Sequence, residues 1–190
     1  MSKFIRWTNP IRLEKLTHIM KIRGVDVFVH WTVLVIAVFM IVGAFQRPGL
    51  TLVGLFSYLS VLLLHETGHL IAAHRRGSEV FSIKLYPVFG VTCFQVPWSR
   101  LDQCVIAWGG VVAQALVAIP LVLWVELFGF TPFQPVNAAL AILGFFSLGV
   151  ALFNLLPIPP LDGATAWGLI PALIERAKLS KRKTPMDWRR

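Results

Sequence analysis

Four long stretches of this chain contain no charged residue, and they limit the folds that it can adopt. They run from Val27 to Phe45, from Leu50 to Leu64, from Val105 to Val125 and from Leu127 to Leu161. A helix that crosses a bilayer needs about 20 mostly apolar residues. The apolar character of the second stretch resumes beyond a polar interruption at 65–69, so each stretch can supply a membrane span.

The composition excludes two other classes of protein. Hydrophobic residues make up 56% of the 190 residues and charged residues 14%, whereas an ordinary soluble domain has about 25% charged residues. A disordered chain would be poor in apolar residues. The chain is therefore expected to be a multi-pass integral membrane protein.

The boundaries of the apolar stretches predict an all-α polytopic membrane protein with about four transmembrane helices. The predicted spans are 27–46, 50–74, 104–126 and 136–156. A shorter apolar stretch at 161–174 predicts a short C-terminal helix, partly buried or interfacial. Residues 82–94 are rich in β-branched and aromatic residues and predict short strands that bend at Pro87 and Gly90. The predicted organisation is a basic segment at 1–24, a single domain at 25–175 and a basic tail at 176–190.

The charge distribution predicts the orientation. The chain has 18 Lys and Arg against 9 Asp and Glu, a net charge of +9. If both termini are cytoplasmic, Arg47 is the one basic residue on the outer side, which is the asymmetry that the positive-inside rule describes. A nucleic-acid surface would need basic residues interleaved with exposed aromatics. Because nothing in the sequence demands one, we expect the lipid bilayer and no nucleic acid as a partner.

The sequence His65-Glu66-Thr67-Gly68-His69 places ionisable groups inside an apolar stretch. Such groups are costly in a membrane and indicate a functional site. Residues four apart lie on one face of a helix, so His65 and His69 can bind one metal ion, with Glu66 as general base beside it. The structural alternative is a polar patch that packs between helices.

Such a zinc site needs a third protein ligand, and Asp162 is the better candidate for it. This residue follows Pro157, Pro159 and Pro160, which stop a helix and leave an irregular segment that could enter a site. The alternative is that Asp162 begins a short helix as its N-cap. In the predicted topology the His65–His69 cluster and Asp162 lie at similar depth near the cytoplasmic side.

Together, the HExxH motif and the segment Asn154–Gly163, which reads NLLPIPPLDG, closely resemble the site-2 protease family of intramembrane zinc metalloproteases, over roughly residues 20–175. The resemblance implies that His65, His69 and Asp162 are zinc ligands and that Glu66 is the catalytic base. It implies that Asn154 assists the binding of a substrate carbonyl or oxyanion. The chain offers no candidate for the PDZ or CBS domains found in some branches of that family.

Three further features agree more loosely with the family. His30-Trp31 is similar to a histidine at the start of its first span, although an interfacial aromatic pair is the alternative. Gln114 occupies the place of an asparagine in a Gly-Pro-x-x-Asn segment, where Gly109 and Gly110 could more simply allow close helix packing. Residues 82–94 are similar to its membrane-embedded β-hairpin, whose edge would add a strand to the substrate. Candidate substrate-binding residues are therefore His30, Gly90, Val91, Thr92 and Gln114.

The function predicted from these features is zinc-dependent hydrolysis of a peptide bond in or near a transmembrane segment. The expected substrate is a membrane-anchored regulator or a signal-peptide remnant, in a prokaryotic cytoplasmic membrane. Substrate admission could depend on the chain itself or on a separate regulatory membrane partner. The alternative is a catalytically silent zinc-binding membrane scaffold or a partner-binding module. A metal transporter is disfavoured because no internal repeat is detected, and a protease with a cytosolic catalytic domain is disfavoured because no sizeable soluble domain is present.

Overall fold

The computed structural model describes residues 16–43, 47–87 and 90–182, with the side chains of 180–182 left out. Most of the predicted basic segment at 1–24, the end of the predicted tail, and Val88 and Phe89 of the predicted β-segment lie outside these ranges. The statements below concern the described residues.

Three described helices are long and apolar enough to cross a membrane. They are α2 (Pro48–Arg75), α3 (Arg100–Phe128), and a third that begins as α4 (Gln134–Leu140), continues through a π-helical turn at Ala141–Phe146 and ends as α5 (Ser147–Asn154). A shorter apolar helix, α1, covers Trp31–Gly43. The prediction of a mostly helical membrane protein with a small sheet is confirmed at this level.

The N-terminal part of the predicted first span is a strand instead of a helix. Strands β1 (Leu16–Ile22) and β2 (Val25–His30) precede α1, so the described helical part of the predicted span at 27–46 covers 13 residues, and 44–46 lie outside the described ranges. The physical reason lies in the alternation of Val25, Val27 and Val29, which are buried, with less buried neighbours. This period of two fits a strand that packs one face on a core.

The predicted hairpin is half of a larger sheet. Strands β3 (Val80–Leu85) and β4 (Gly90–Phe94) join β1 and β2 in a four-stranded sheet of order β1-β2-β3-β4. The pairs β1–β2 and β3–β4 are antiparallel, whereas β2 and β3 are parallel, with Asp26 opposite Ser82. Strand β4 lies at one edge of this sheet.

The sheet is attached to α2 by an apolar core. Val27, Val29, Ile83 and Leu85 on β2 and β3 cluster with Leu62 and Leu70 on α2, and all six are buried. Leu62 and Leu70 lie on either side of the HExxH motif along the helix. The core therefore places one face of the sheet against the part of α2 that carries the motif.

Helices α2 and α3 cross closely at Gly68 and Gly109. A Cβ on Gly68 would collide with the carbonyl oxygen of Gly109, and a Cβ on Gly109 would lie 2.6 Å from the carbonyl oxygen of Gly68. Backbones approach this closely in membranes where residues are small. The crossing brings the middle of α3 to within side-chain reach of His65 and His69.

The C-terminal region contains two helices where the sequence predicts one over 161–174. Helix α6 (Gly163–Ala166) is a single turn, and α7 (Leu169–Arg182) extends into the predicted basic tail. The indole N–H of Trp108 on α3 donates to the carbonyl of Ala166 (2.9 Å), and that of Trp167 donates to the carbonyl of Leu155 (2.6 Å). These two hydrogen bonds attach the turn at Asp162 both to α3 and to the end of α5.

Candidate metal centre

His65 and His69 face each other across one turn of α2, as their spacing of four residues predicts. Their Nε2 atoms are 3.1 Å apart. Both side chains are buried. One helical turn therefore supplies two converging imidazoles in a region that excludes most water.

Asp162 completes the cluster from the irregular segment after α5. Its Oδ2 atom lies 3.0 Å from Nε2 of His65 and 3.2 Å from Nε2 of His69. Asp162 occupies the position before α6 but its side chain makes no capping hydrogen bond. The N-cap alternative from the sequence therefore does not describe this side chain, which is directed at the two histidines.

The outer nitrogen of each imidazole is held by a buried acceptor. Nδ1 of His69 donates to the backbone carbonyl of Ile106 at 2.8 Å, because a carbonyl can only accept. Nδ1 of His65 lies 2.8 Å from Oε1 of Gln114, whose side chain is fully buried. Metal-binding histidines are commonly oriented in this way, which leaves the Nε2 lone pair free to bind the metal.

This arrangement fits a zinc ion. With both Nδ1 atoms protonated, two Nε2 lone pairs converge on Asp162 Oδ2, a buried oxygen with no other hydrogen-bond partner among the described residues. Three acceptors this close repel one another unless a metal ion or a proton lies between them. In tetrahedral zinc sites with bonds of about 2.1 Å, ligand atoms are about 3.4 Å apart, close to the separations here. Two imidazoles and a carboxylate with a fourth position open are the ligand set of catalytic zinc sites.

A glycine on α3 leaves room for the two imidazoles. A Cβ on Gly110 would lie 2.6 Å from Nε2 of His69 and 2.7 Å from Cε1 of His65. Gly109 and Gly110, which were both predicted to allow close helix packing, therefore have different roles. Gly109 permits the crossing of the backbones, and Gly110 permits the approach of α3 to the imidazole rings of His65 and His69.

Glu66 is buried beside the two histidines and turned toward the sheet. Its side chain is 2% exposed, and its Oε2 atom accepts a 2.6 Å hydrogen bond from the hydroxyl of Thr92 on β4. A Cβ on Gly90 would collide with the Glu66 carboxylate. Strand β4 thus lies directly over the predicted general base.

The other predicted site residues take different positions. The side-chain amide of Asn154 donates to the carbonyl of Val150 in its own helix (3.1 Å). Nδ1 of His30 lies 2.6 Å from the Thr32 hydroxyl, and its ring packs against Trp31 and Tyr86. Val91 is exposed on β4. None of these three belongs to the His65–His69–Asp162 group that could hold a metal ion among the described residues.

Two contacts near the cluster join residues that lie far apart in the sequence. Gln114 was predicted as a substrate-binding residue, but its oxygen meets the ring of His65. The pairing of Trp108 with Trp167, whose rings are 5.8 Å apart in an edge-to-face arrangement, also joins distant parts of the chain. A polar residue in the middle of an apolar helix was the available signal for Gln114.

Comparisons with known proteins agree with the resemblance inferred from the motifs. The model of Peptidase family M50 matches residues 125–188, which include Asn154–Gly163. A protein of Synechocystis sp. that carries the name of a zinc metalloprotease is 33% identical over 108 residues, covering 54% of this chain and 27% of that protein. The chain therefore spans about a quarter of the length of this curated relative.

The fold has a solved counterpart. The site-2 protease from Methanocaldococcus jannaschii matches with a TM-score of 0.59 and 23% sequence identity, covering 88% of this chain and 73% of that chain. A structural similarity at this level of sequence identity shows the fold alone. Together with the three apolar helices, these matches support an integral membrane protein and confirm the resemblance to the site-2 protease family.

Proposed function

We propose that this chain, which resembles the site-2 protease family, is a zinc-dependent intramembrane endopeptidase. It would hydrolyse a peptide bond in or near a transmembrane segment of a membrane-anchored protein, such as a regulator or a signal-peptide remnant. The observation that supports this proposal most is the convergence of His65, His69 and Asp162 with Glu66 beside them, inside an apolar helix bundle. Buried ionisable groups in a membrane are retained where they serve a function.

The residues of the chain divide the chemistry among them. His65, His69 and Asp162 would hold zinc, which when bound supplies Lewis-acid chemistry that makes water nucleophilic near neutral pH and polarises a carbonyl. The Glu66 carboxylate accepts the proton of the attacking water and returns it to the amine that leaves as the peptide C–N bond breaks. Asn154, at the end of α5, would donate its amide to the substrate carbonyl or oxyanion, after leaving its contact with Val150.

Hydrolysis also requires water at the site, and the charge distribution indicates the side from which it enters. Of the basic residues in the chain, Arg47 alone is on the opposite side when both termini are cytoplasmic. In that orientation Asp162, which lies on the irregular segment beyond the end of α5, would be on the cytoplasmic side. Irregular backbone at such depth is tolerated where it lines a water-filled cavity. We therefore assign the water path and both termini to the cytoplasmic side.

Strand β4 is the proposed docking edge for the substrate. It is the last strand of the described sheet and lies against Glu66. An extended peptide can add to such an edge through main-chain hydrogen bonds. This requires the substrate helix to unwind, so helix-breaking residues near the scissile bond would favour cleavage.

Proline within β4 tests this docking edge. We expect Val91→Pro, and likewise Thr92→Pro, to lower turnover more than zinc content, because proline removes a backbone donor from the strand. Cleavage of a membrane-anchored reporter and zinc bound per chain are measured on the same preparations. Unchanged turnover of Val91→Pro would remove β4 as the docking edge.

Gln114 provides a test of the ligand set. We expect Gln114→Leu to weaken zinc binding by about 10–100-fold, the range typical of lost partners of metal-binding histidines, because His65 Nδ1 loses its acceptor. Competition with a chelator of known affinity measures the change. Gln103→Leu is the control, since Gln103 on the same helix bonds the carbonyl of Pro97, away from the ligands. Equal zinc affinity of both variants would exclude this role for Gln114.

Zinc removal separates the proposed enzyme from a silent zinc-binding scaffold. We expect purified protein to contain one zinc per chain, to cleave a transmembrane reporter, to lose cleavage on dialysis against a chelator and to regain it with zinc. A scaffold would bind zinc with the same stoichiometry and leave every reporter intact. Protein without zinc that still cleaves would contradict the proposed chemistry.

A further inference from the structure

The carboxylate of Glu66 has one hydrogen-bond donor among the described side chains, and it comes from the sheet. The hydroxyl of Thr92 lies 2.6 Å from Oε2 of Glu66 and 3.3 Å from its backbone oxygen. A hydroxyl donating to a carboxylate at this distance is a short, strong hydrogen bond. Because Glu66 is buried, water cannot easily replace this donor.

The position of Thr92 on β4 explains why this hydroxyl reaches the helix. Side chains alternate between the faces of a strand, so Gly90 and Thr92 share one face. Their partners across the β3–β4 ladder are Leu85 and Ile83, which are buried in the core against α2. Where β3 presents large apolar side chains to α2, β4 presents a glycine and a threonine, which leave space for the carboxylate and supply a donor to it.

We infer that Thr92 is a positioning residue for Glu66, holding the carboxylate of the general base in one orientation through its hydroxyl. This inference rests on the proposed function, in which Glu66 handles the proton. A glutamate side chain has several rotamers, and proton transfer needs its oxygen within hydrogen-bond reach of the water. The single donor restricts those rotamers.

The same strand is the proposed docking edge, which gives Thr92 a second consequence. The backbone of β4 would align the substrate, while the Thr92 side chain aligns the base. The positions of the substrate and of the base would then both depend on β4, a strand of five residues. A misplacement of about 1 Å between them can cost about 10²-fold in rate.

Three variants test the hydroxyl. Thr92→Val keeps the shape and removes the donor, and Thr92→Ser keeps the donor. Thr51→Val is the matched control, because it makes the same substitution on α2 at Thr51, whose hydroxyl faces the carbonyl of Arg47 at the far end of the helix. We expect Thr92→Val to lower kcat by about 10–100-fold with little change in KM or zinc content, and Thr92→Ser and Thr51→Val to retain kcat.

A second readout is independent of catalysis. The infrared difference spectrum between metal-free wild type and metal-free Glu66→Gln isolates the carboxyl bands of Glu66. The same difference recorded in the Thr92→Val background should show these bands shifted, and in the Thr92→Ser background unshifted. Bands at the same frequency in all three backgrounds would overturn the contact.

The two readouts separate the possible failures. If Thr92→Val shifts the Glu66 bands but cleaves at the wild-type rate, the positioning role is wrong and the proposed protease stands. If the wild type cleaves no reporter, the proposed function is wrong. Thr92 then positions no catalytic base, even where the spectra show its hydrogen bond to Glu66. A loss of kcat in Thr92→Ser equal to that in Thr92→Val also overturns the inference, since the hydroxyl is then irrelevant.

Discussion

Replacing Glu66 with glutamine is expected to lower cleavage by about 10²–10⁴-fold, the contribution of a general acid–base group, while zinc remains bound. Glutamine has nearly the same shape, and its side-chain oxygen can still accept from Thr92, but it cannot take up a proton. His65, His69 and Asp162, which supply the proposed ligand atoms, are unchanged. Reporter cleavage and zinc per chain, measured on the same purified protein, check both parts of this result.

The control for this substitution is Glu79→Gln, which makes the same change at an exposed residue between α2 and β3. It should cleave at the wild-type rate. A Glu66→Gln protein that is as active as the wild type would refute the role of Glu66 as base. The inactive variant also serves to find substrates, because proteins that accumulate in its membranes relative to wild type are candidates for cleavage.

Replacing Gly110 with alanine is expected to have a comparably large effect through the proposed metal ligands. The added methyl group would lie 2.6–2.8 Å from atoms of His65 and His69, closer than real Cβ contacts, so the rings or the α2–α3 spacing must shift. Because zinc ligands must be placed to within a few tenths of an ångström, we expect zinc affinity to fall by about 100-fold or more, at least the loss seen when a ligand's supporting contact is removed. Cleavage should fall with it.

Gly149→Ala is the matched control, since a Cβ on Gly149 meets no atom within 4 Å. Alanine in a helix is more stable than glycine by roughly 0.5–1 kcal/mol, so this variant should fold at least as well and retain zinc and activity. Zinc affinity by chelator competition and thermal unfolding in detergent distinguish a displaced ligand set from a general loss of folding. Full zinc binding by Gly110→Ala would contradict the close approach of α3 to the rings.

Much of the candidate site could be predicted because its signals are local. A spacing of four residues places His65 and His69 on one helical face whatever the rest of the fold does. The prolines before Asp162 interrupt a helix in any context. That the two motifs meet in space depends on the tertiary fold, which no local pattern predicts. The resemblance to a family implied this meeting, and the structure brings the three side chains together.

The sheet was harder to predict because two periodicities compete in one apolar stretch. Mean hydropathy favours a span that begins near Val27, but Val25, Val27 and Val29 alternate with Asp26 and Phe28 in the pattern of a strand. A window long enough to detect a membrane helix averages this alternation away. The pairing of β2 with β3 also joins residues separated by two helices, which no local pattern reveals.

The hydrogen bonds from His65 to Gln114 and from Thr92 to Glu66 lie beyond what the sequence could indicate. Each joins side chains from different elements, and its existence depends on the α2–α3 crossing at Gly68 and Gly109 or on the packing of the sheet against α2. The sequence identified both residues as candidates for substrate binding. In the structure Gln114 contacts the proposed ligand His65 and Thr92 contacts the proposed base Glu66, and a role of either residue in substrate binding stays a prediction.

The parallel pairing of β2 with β3 has a consequence for the biogenesis of the protein. Because α1 and α2 separate these strands along the chain, β3 can join β2 only after both helices have been made and the chain has returned to its starting side. Strand β4, which covers Glu66, is added later still. The nascent chain therefore contains the complete HExxH motif of α2 before the strand that supplies the Thr92 hydroxyl to Glu66 has been made.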